Sequence, residues 1–149
     1  MSDTMRELSL ATLIGRPDQA SLYLSTERQI ETLRADVEPL NVKGTFVDWR
    51  FITLQVHSPE FQETATYLLG TRGIHRCTLT SRIKAIDFAK GYVRTENSVY
   101  ALDMEARGAG DPPVLHLANI CQTFWGWGFG IALGIPIVEV YAPSLEEVK

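Results

Sequence analysis

Apolar and polar positions change period along the chain and divide it into three parts. In the first forty residues Ile30, Leu33, Val37 and Leu40 recur at helical spacing. Thr26, followed three residues later by Gln29, resembles a capping box, and Pro39 closes the segment. An earlier helix is expected around Met5 to Leu13, ended by Gly15 and Pro17.

From Val42 the period becomes two. Thr45 to His57 is rich in Phe, Val, Trp, Ile and Thr, which suit a pleated, half-buried surface. The alternation slips phase between Phe51 and Ile52. That slip predicts either a bulge there or a tight turn at Asp48-Trp49 between two strands. Ser58-Pro59-Glu60 offers a helix start with proline in the first turn, while Thr64 to Leu69 reads as a strand. Thr80 to Phe88, Gly91 to Thr95 and Ser98 to Leu102 form a β-meander with turns at Lys90-Gly91 and Glu96-Asn97. A loop from Glu105 to Pro113 follows.

The last third opens on an amphipathic helix. Val114, Leu117, Ala118, Cys121, Phe124 and Trp125 share one face, and Gly126 and Gly128 stop it. Ile135 to Tyr141 reads as a final strand and Ala142 to Lys149 as a loose acidic tail. The expected organisation is one α+β domain over 1–149. Its parts are helices in 1–40, a mainly antiparallel sheet in 42–104, a helix plus strand in 112–142 and a tail in 143–149.

Composition fits a packed domain: the 149 residues are 45% hydrophobic and 21% charged. A net charge of -4 argues against a surface dedicated to duplex nucleic acid. No acidic or basic residue occurs from Pro112 to Val138, long enough to raise a membrane span. Its four glycines and Pro136, and the lack of flanking cationic clusters, favour a buried helix followed by a strand. The N-terminus lacks the basic and apolar regions of a signal peptide, so a cytoplasmic location is expected. Cys77 and Cys121 form no CxxC pair and read as reduced core residues.

Candidate chemistry is sparse. Gly126, Gly128, Gly130 and Gly134 follow a helix and precede a strand, the reverse of a dinucleotide-binding loop. They read as a helix terminus packed around Trp125, Trp127 and Phe129. His116 and Cys121 stand five apart, which misses one helical face. No carboxylate or histidine pattern gathers metal ligands, so no catalytic residue, metal or cofactor is expected.

Charge distribution is more informative. Between Arg72 and Arg94 lie six basic residues (Arg72, Arg76, Arg82, Lys84, Lys90, Arg94) and one acid, Asp87. Arg82 and Lys84 fall on one strand face, and Tyr92 and Arg94 on one side of the next strand. This face suits an acidic protein patch or an anionic small molecule. Trp49 and Trp127 add aromatic anchors of the kind that dominate interfaces.

Thr80-Ser81-Arg82-Ile83 and Thr95-Glu96-Asn97-Ser98-Val99-Tyr100-Ala101-Leu102 form a "TS-x-I … T-x-N-S-x-Y-x-L" meander. It resembles one in small uncharacterised proteins of bacteriophages and other bacterial mobile elements, and Leu133-Gly134-Ile135-Pro136 is similar to a motif after their last helix. The resemblance implies a phage or prophage context in a bacterial cell and carries no functional residue. The expected function is non-enzymatic binding of another protein, in its sharpest form inhibition of a bacterial defence complex. The alternatives are capture of a nucleotide signal by Arg76, Arg82, Lys84 and Arg94, and a hydrolase with a dispersed site using His57 or His75. A homodimer through the apolar last third stays open.

Overall fold

The computed structural model describes residues 8–58, 61–73 and 76–137. A 3-10 turn (Ala11–Leu13) leads to strand β1 (Ala20–Leu24), helix α1 (Glu27–Thr32) and the long strands β2 (Val42–Ser58), β3 (Phe61–Arg72) and β4 (Arg76–Asp87). Short strands β5 (Tyr92–Thr95) and β6 (Val99–Leu102) then precede helices α2 (Val114–Gly126) and α3 (Gly130–Leu133). The fold is α+β, as the periodicities predict.

Strands β2 to β6 form an antiparallel meander, and β6 returns to pair in parallel with the start of β2. The same edge of β2 pairs further along with β1, from Leu24↔Ile52 to Ala20↔Val56. One strand serves both neighbours because it carries a bulge. Val47 faces Thr71 and Arg50 faces Leu69, so Asp48 and Trp49 together oppose Gly70. Asp48 adopts φ 49°, and a Cβ on Gly70 would come within 3.0 Å of the Trp49 backbone. The bulge thus lies at Asp48-Trp49, and β2 continues through it without a turn. At Phe51-Ile52 the ladder is regular, and the slip in the alternation arises because Phe51 and Ile52 enter separate cores on opposite faces of the sheet.

The extra residue sends Phe46, Trp49 and Phe51 to the inside of the barrel. There they pack with Leu68, Ile83, Ile86, Val93, Leu102 and Ile30 of α1. Ile52, Leu54, Ala65, Tyr67 and Leu69 face outward and are covered by Leu117, Ile120, Cys121 and Phe124 of α2. Each fully buried side chain of this size stabilises the fold by roughly 1.5–3 kcal/mol. The sheet is therefore apolar on both sides over its middle strands.

The N-terminal part departs from the helical expectation. Thr26 and Gln29 do form a capping box: Gln29 N–H donates to Thr26 Oγ1 at 3.1 Å, and Thr26 N–H to Gln29 Oε1 at 2.9 Å. The helix nevertheless ends at Thr32. Leu33 to Val37 run instead along β4: Ile86 N–H bonds to Leu33, Ala35 N–H to Ile86, and Val37 N–H to the Asp87 carboxylate. Ala20 and Leu22 alternate into the outer core, so β1 forms where no strand is expected. Of the helix expected at Met5 to Leu13, residues 11–13 form the 3-10 turn and Met5 to Glu7 lie outside the described residues.

Ser58 ends β2, and the chain is a strand again from Phe61, while Pro59 and Glu60 lie outside the described residues. Ile135 to Ile137 have no regular structure, and the rest of the expected last strand and tail lies outside the described residues. Among the described residues no helix is long and apolar enough to cross a membrane.

Candidate binding groove beside the β3–β4 splay

At the end of α2 the chain turns sharply into α3. A Cβ at Gly130 would fall within the Trp125 ring, and Gly134, at φ 67°, caps α3 in the left-handed conformation. These glycines serve packing, as the sequence suggests. The turn exposes Trp127, which leaves 39% of its surface in solvent. Its ring lies 5.5 Å from Tyr67, 5.7 Å from Phe124 and 6.1 Å from Phe129. Phe124 is fully buried and anchors the cluster.

Beside this cluster an apolar groove of about 310 Å³ runs between Leu54, Val56, Ala65 and Tyr67 of the sheet and Phe129 and Leu133 of the helical turn. A more polar cleft of about 320 Å³ adjoins it, bordered by Trp127, Tyr67, Ser81, Glu96 and Asn97. A third, of about 360 Å³, opens between Thr64 to Thr66 of β3, Ile83 and Lys84 of β4, and Gln29, Thr32 and Leu33. Arg82 borders all three and forms an ion pair with Glu63.

Titratable groups nearby are held in unreactive forms. Burial, with Glu96 adding to it, pushes the Tyr67 phenol up to about 12, so it stays a neutral donor. Burial pushes the Cys121 thiol up to about 11 and raises that of half-buried Cys77; both are free cysteines, and neither is poised as a thiolate. His116 is buried, meets Thr71 Oγ1 at 3.0 Å and is held below its ordinary value by desolvation. His57 contacts Ser21 Oγ at 3.1 Å, but no carboxylate orients its ring among the described residues. His75 lies outside the described residues. No group of potential metal ligands occurs among the described residues.

The structure separates the residues singled out by sequence. Arg82 and Trp127 come together at the polar cleft beside the groove, and Lys84 joins Arg82 at the third cleft. Arg94 opens into a different cleft of about 480 Å³ with Lys43, Asn41 and Asn97. Tyr92 is half-buried on β5, opposite Asp87 and Ala101. Arg72 lies over the Tyr100 ring at 5.8 Å and donates to the Lys43 carbonyl. Lys90 is tied to Asp36 at 2.9 Å, and the Arg76 side chain lies outside the described residues.

The expected continuous basic face is thus divided by intervening strands and by ion pairs. Trp49 is a core residue: it is fully buried, and its indole N–H donates to the Asp103 carbonyl at 2.8 Å. It has no surface to offer a partner. Tyr67, Phe129 and Glu63 are groove residues that the sequence pattern leaves inside ordinary strand and loop; only the run of aromatics after Gly126 hints at them.

The chain matches no family model, no curated protein and no solved structure.

Proposed function

We propose that this is a non-enzymatic binding protein that acts by occupying the surface of another protein, with Trp127, Phe129 and Tyr67 as its contact. The observation that carries this reading is an exposed tryptophan braced by the buried rings of Phe124 and Tyr67, in a cleft that shares Tyr67 and Phe129 with an apolar groove. Rigid aromatic side chains on a packed base are the usual energetic centres of interfaces. Ile131, 73% exposed on α3, extends the apolar surface beyond the groove. Nucleotide capture finds less support, because Arg82 is already paired with Glu63 and Arg94 faces another cleft.

In its sharper form the partner is a bacterial defence complex and the chain acts in the cytoplasm of a phage-infected cell. That form draws on the meander resemblance. Native mass spectrometry of gently purified tagged protein from a defence-carrying bacterial host tests both forms, and the expected result is a co-purifying protein complex. Trp127→Ala and Arg82→Ala should each weaken that complex by at least about 2 kcal/mol. An unchanged affinity in both variants overturns the site.

A further inference from the structure

Strand β3 has two neighbours over one half of its length and one over the other. Its ladder with β2 runs from Phe46↔Arg72 through the bulge to Ser58↔Phe61, whereas its ladder with β4 runs from Arg72↔Arg76 only as far as Tyr67↔Arg82. Beyond that pair β4 turns to β5, through Ile83↔Thr95, and its own outer edge is taken by Leu33 to Ala35. Among the described residues, no strand pairs with the first half of β3 on the edge that faces the third cleft.

Hydrogen-bond parity fixes which groups this edge presents. His57 N–H donates to Gln19 and the Phe51 carbonyl accepts from Ser25, so odd-numbered residues of β2 bond towards β1. The even-numbered Leu54 and Val56 therefore bond to their partners Ala65 and Glu63, and Thr64 between them points away from β2. Leu68 follows the same parity, its N–H reaching across to Thr80 Oγ1. The Thr64 N–H and C=O thus face the gap, and no described strand pairs with them there. Unpaired edge groups of this kind are a template for another strand.

The surroundings select what such a strand carries. Side chains alternate across a sheet, so an added strand lays one set over the apolar groove at Phe129 and Leu133. Its other set enters the cleft of Gln29, Thr32, Thr64 and Thr66, which is lined by no carboxylate and has Lys84 at its border. Lys84 has no carboxylate partner among the described residues. The Glu63–Arg82 pair lies beside the open edge and discourages indiscriminate pairing. A second copy of this edge offers the threonines Thr64 and Thr66 and no free acid, so it does not complement the cleft.

We infer that the open edge of β3 takes up an extended segment of a partner protein as an added strand, and that this segment alternates apolar with acidic residues. The inference rests on the protein-binding reading above and names the partner's chemistry. It describes strand addition, in which main-chain bonds supply affinity and alternate side-chain pockets supply specificity.

An acetylated, amidated Val-Glu-Leu-Glu-Val-Glu peptide titrated into the isotope-labelled full chain, followed by amide NMR, tests it. The acidic peptide should bind with the Thr64 amide among the most shifted, and a Val-Lys-Leu-Lys-Val-Lys peptide at least about tenfold more weakly, since its charges meet Lys84. Of two copies N-methylated on alternate amides, one should bind and one should not. Thr64→Pro removes a donor that faces the gap and none from the β2 ladder, so it should abolish binding while leaving the fold intact. Lys84→Glu, an exposed substitution, should weaken binding by about tenfold even if the proline variant misfolds.

Equal binding of the acidic and lysine peptides, equal binding of both N-methylated copies, or no binding at millimolar peptide overturns the inference. Trp127→Ala keeps the two readings apart. A natural complex that needs Trp127 yet survives Thr64→Pro sinks strand addition alone, whereas one indifferent to Trp127→Ala and Arg82→Ala sinks the groove.

Discussion

The bulge in β2 and the splay between β3 and β4 both take backbone groups out of the sheet ladder, and the chain treats them differently. At the bulge, Asp48 N–H donates to Ala106 and Gly108 N–H donates to the Trp49 carbonyl, so the loop after β6 satisfies what the ladder drops. Arg50, buried beneath that loop, donates to the Ala109 and Gly110 carbonyls at 2.8 Å and pairs with Asp48. Arg107 then lies over the Trp49 ring at 5.1 Å and closes the region. At the splay, the outer edge of β4 is covered by Leu33 to Ala35, but the Thr64 edge has no described strand beside it, and the nearby tryptophan stands in solvent. The chain seals one irregularity with its own loop, whereas the other lies beside an apolar groove, where the proposed binding surface falls.

Four measurements break or sharpen this contrast. Trp49→Ala removes a fully buried indole and its bond to Asp103, and should cost about 3–5 kcal/mol in urea denaturation. A loss below about 1 kcal/mol would mean that Trp49 does not hold the bulge, since cavities of this kind rarely collapse so well. Arg50→Met takes away the donors that fasten the loop and should cost about 2–3 kcal/mol, hydrogen bonds to a charged group being the stronger kind. Faster hydrogen exchange at Gly108 should accompany it, and unchanged exchange would show that the loop holds without Arg50.

Trp127→Ala should do the reverse of both. Partial exposure limits its stability cost to about 1 kcal/mol, while its effect on partner affinity is large. A Tm that falls as far as that of Trp49→Ala would make it a core residue.

The smallest effect concerns pH. His116, a buried residue of α2 that meets Thr71, is held below its ordinary value of 6.5 by desolvation, with Asp48 opposing and Arg50 acting in the same direction. The unfolded chain therefore takes up the proton more readily, so the contribution to stability is full above that value and is lost as pH falls through it towards the folded value. His116→Gln should flatten the stability profile between about pH 7 and 5, the range an ordinary histidine titrates in. An unaltered slope assigns that pH dependence to other groups.

Several features of the groove were legible from residues alone. Trp127 stands just beyond the amphipathic run of α2, where a helix terminus leaves it outside the buried face, and Arg82 lies in the richest basic segment. Thr80 and Thr95, in the meander resemblance, are structural: one hydroxyl accepts from Leu68 N–H beside a strand irregularity, and the other accepts from Asn97 and Ser98 N–H in the β5–β6 turn. Trp49 was misplaced because composition cannot tell an interface tryptophan from a core one, and only the bulge sends it inward. The Leu33–Val37 spacing suggested helix because three-and-four periodicity also arises where an extended segment docks through its backbone.

By itself the sequence determined the α+β class, the meander, the capping box at Thr26 and the amphipathic helix that covers the sheet. Each depends on local propensity or on a period read over a few residues. Tertiary structure alone decided that β6 closes on β2, that Leu33 to Ala35 cover the edge of β4, and that Arg82 pairs with Glu63 of β3. It also decided that, among the described residues, the β3–β4 ladder stops at Tyr67↔Arg82. Those outcomes depend on where strands diverge in space, and divergence is set by the bulges and twist of the whole sheet, which no short window of residues contains.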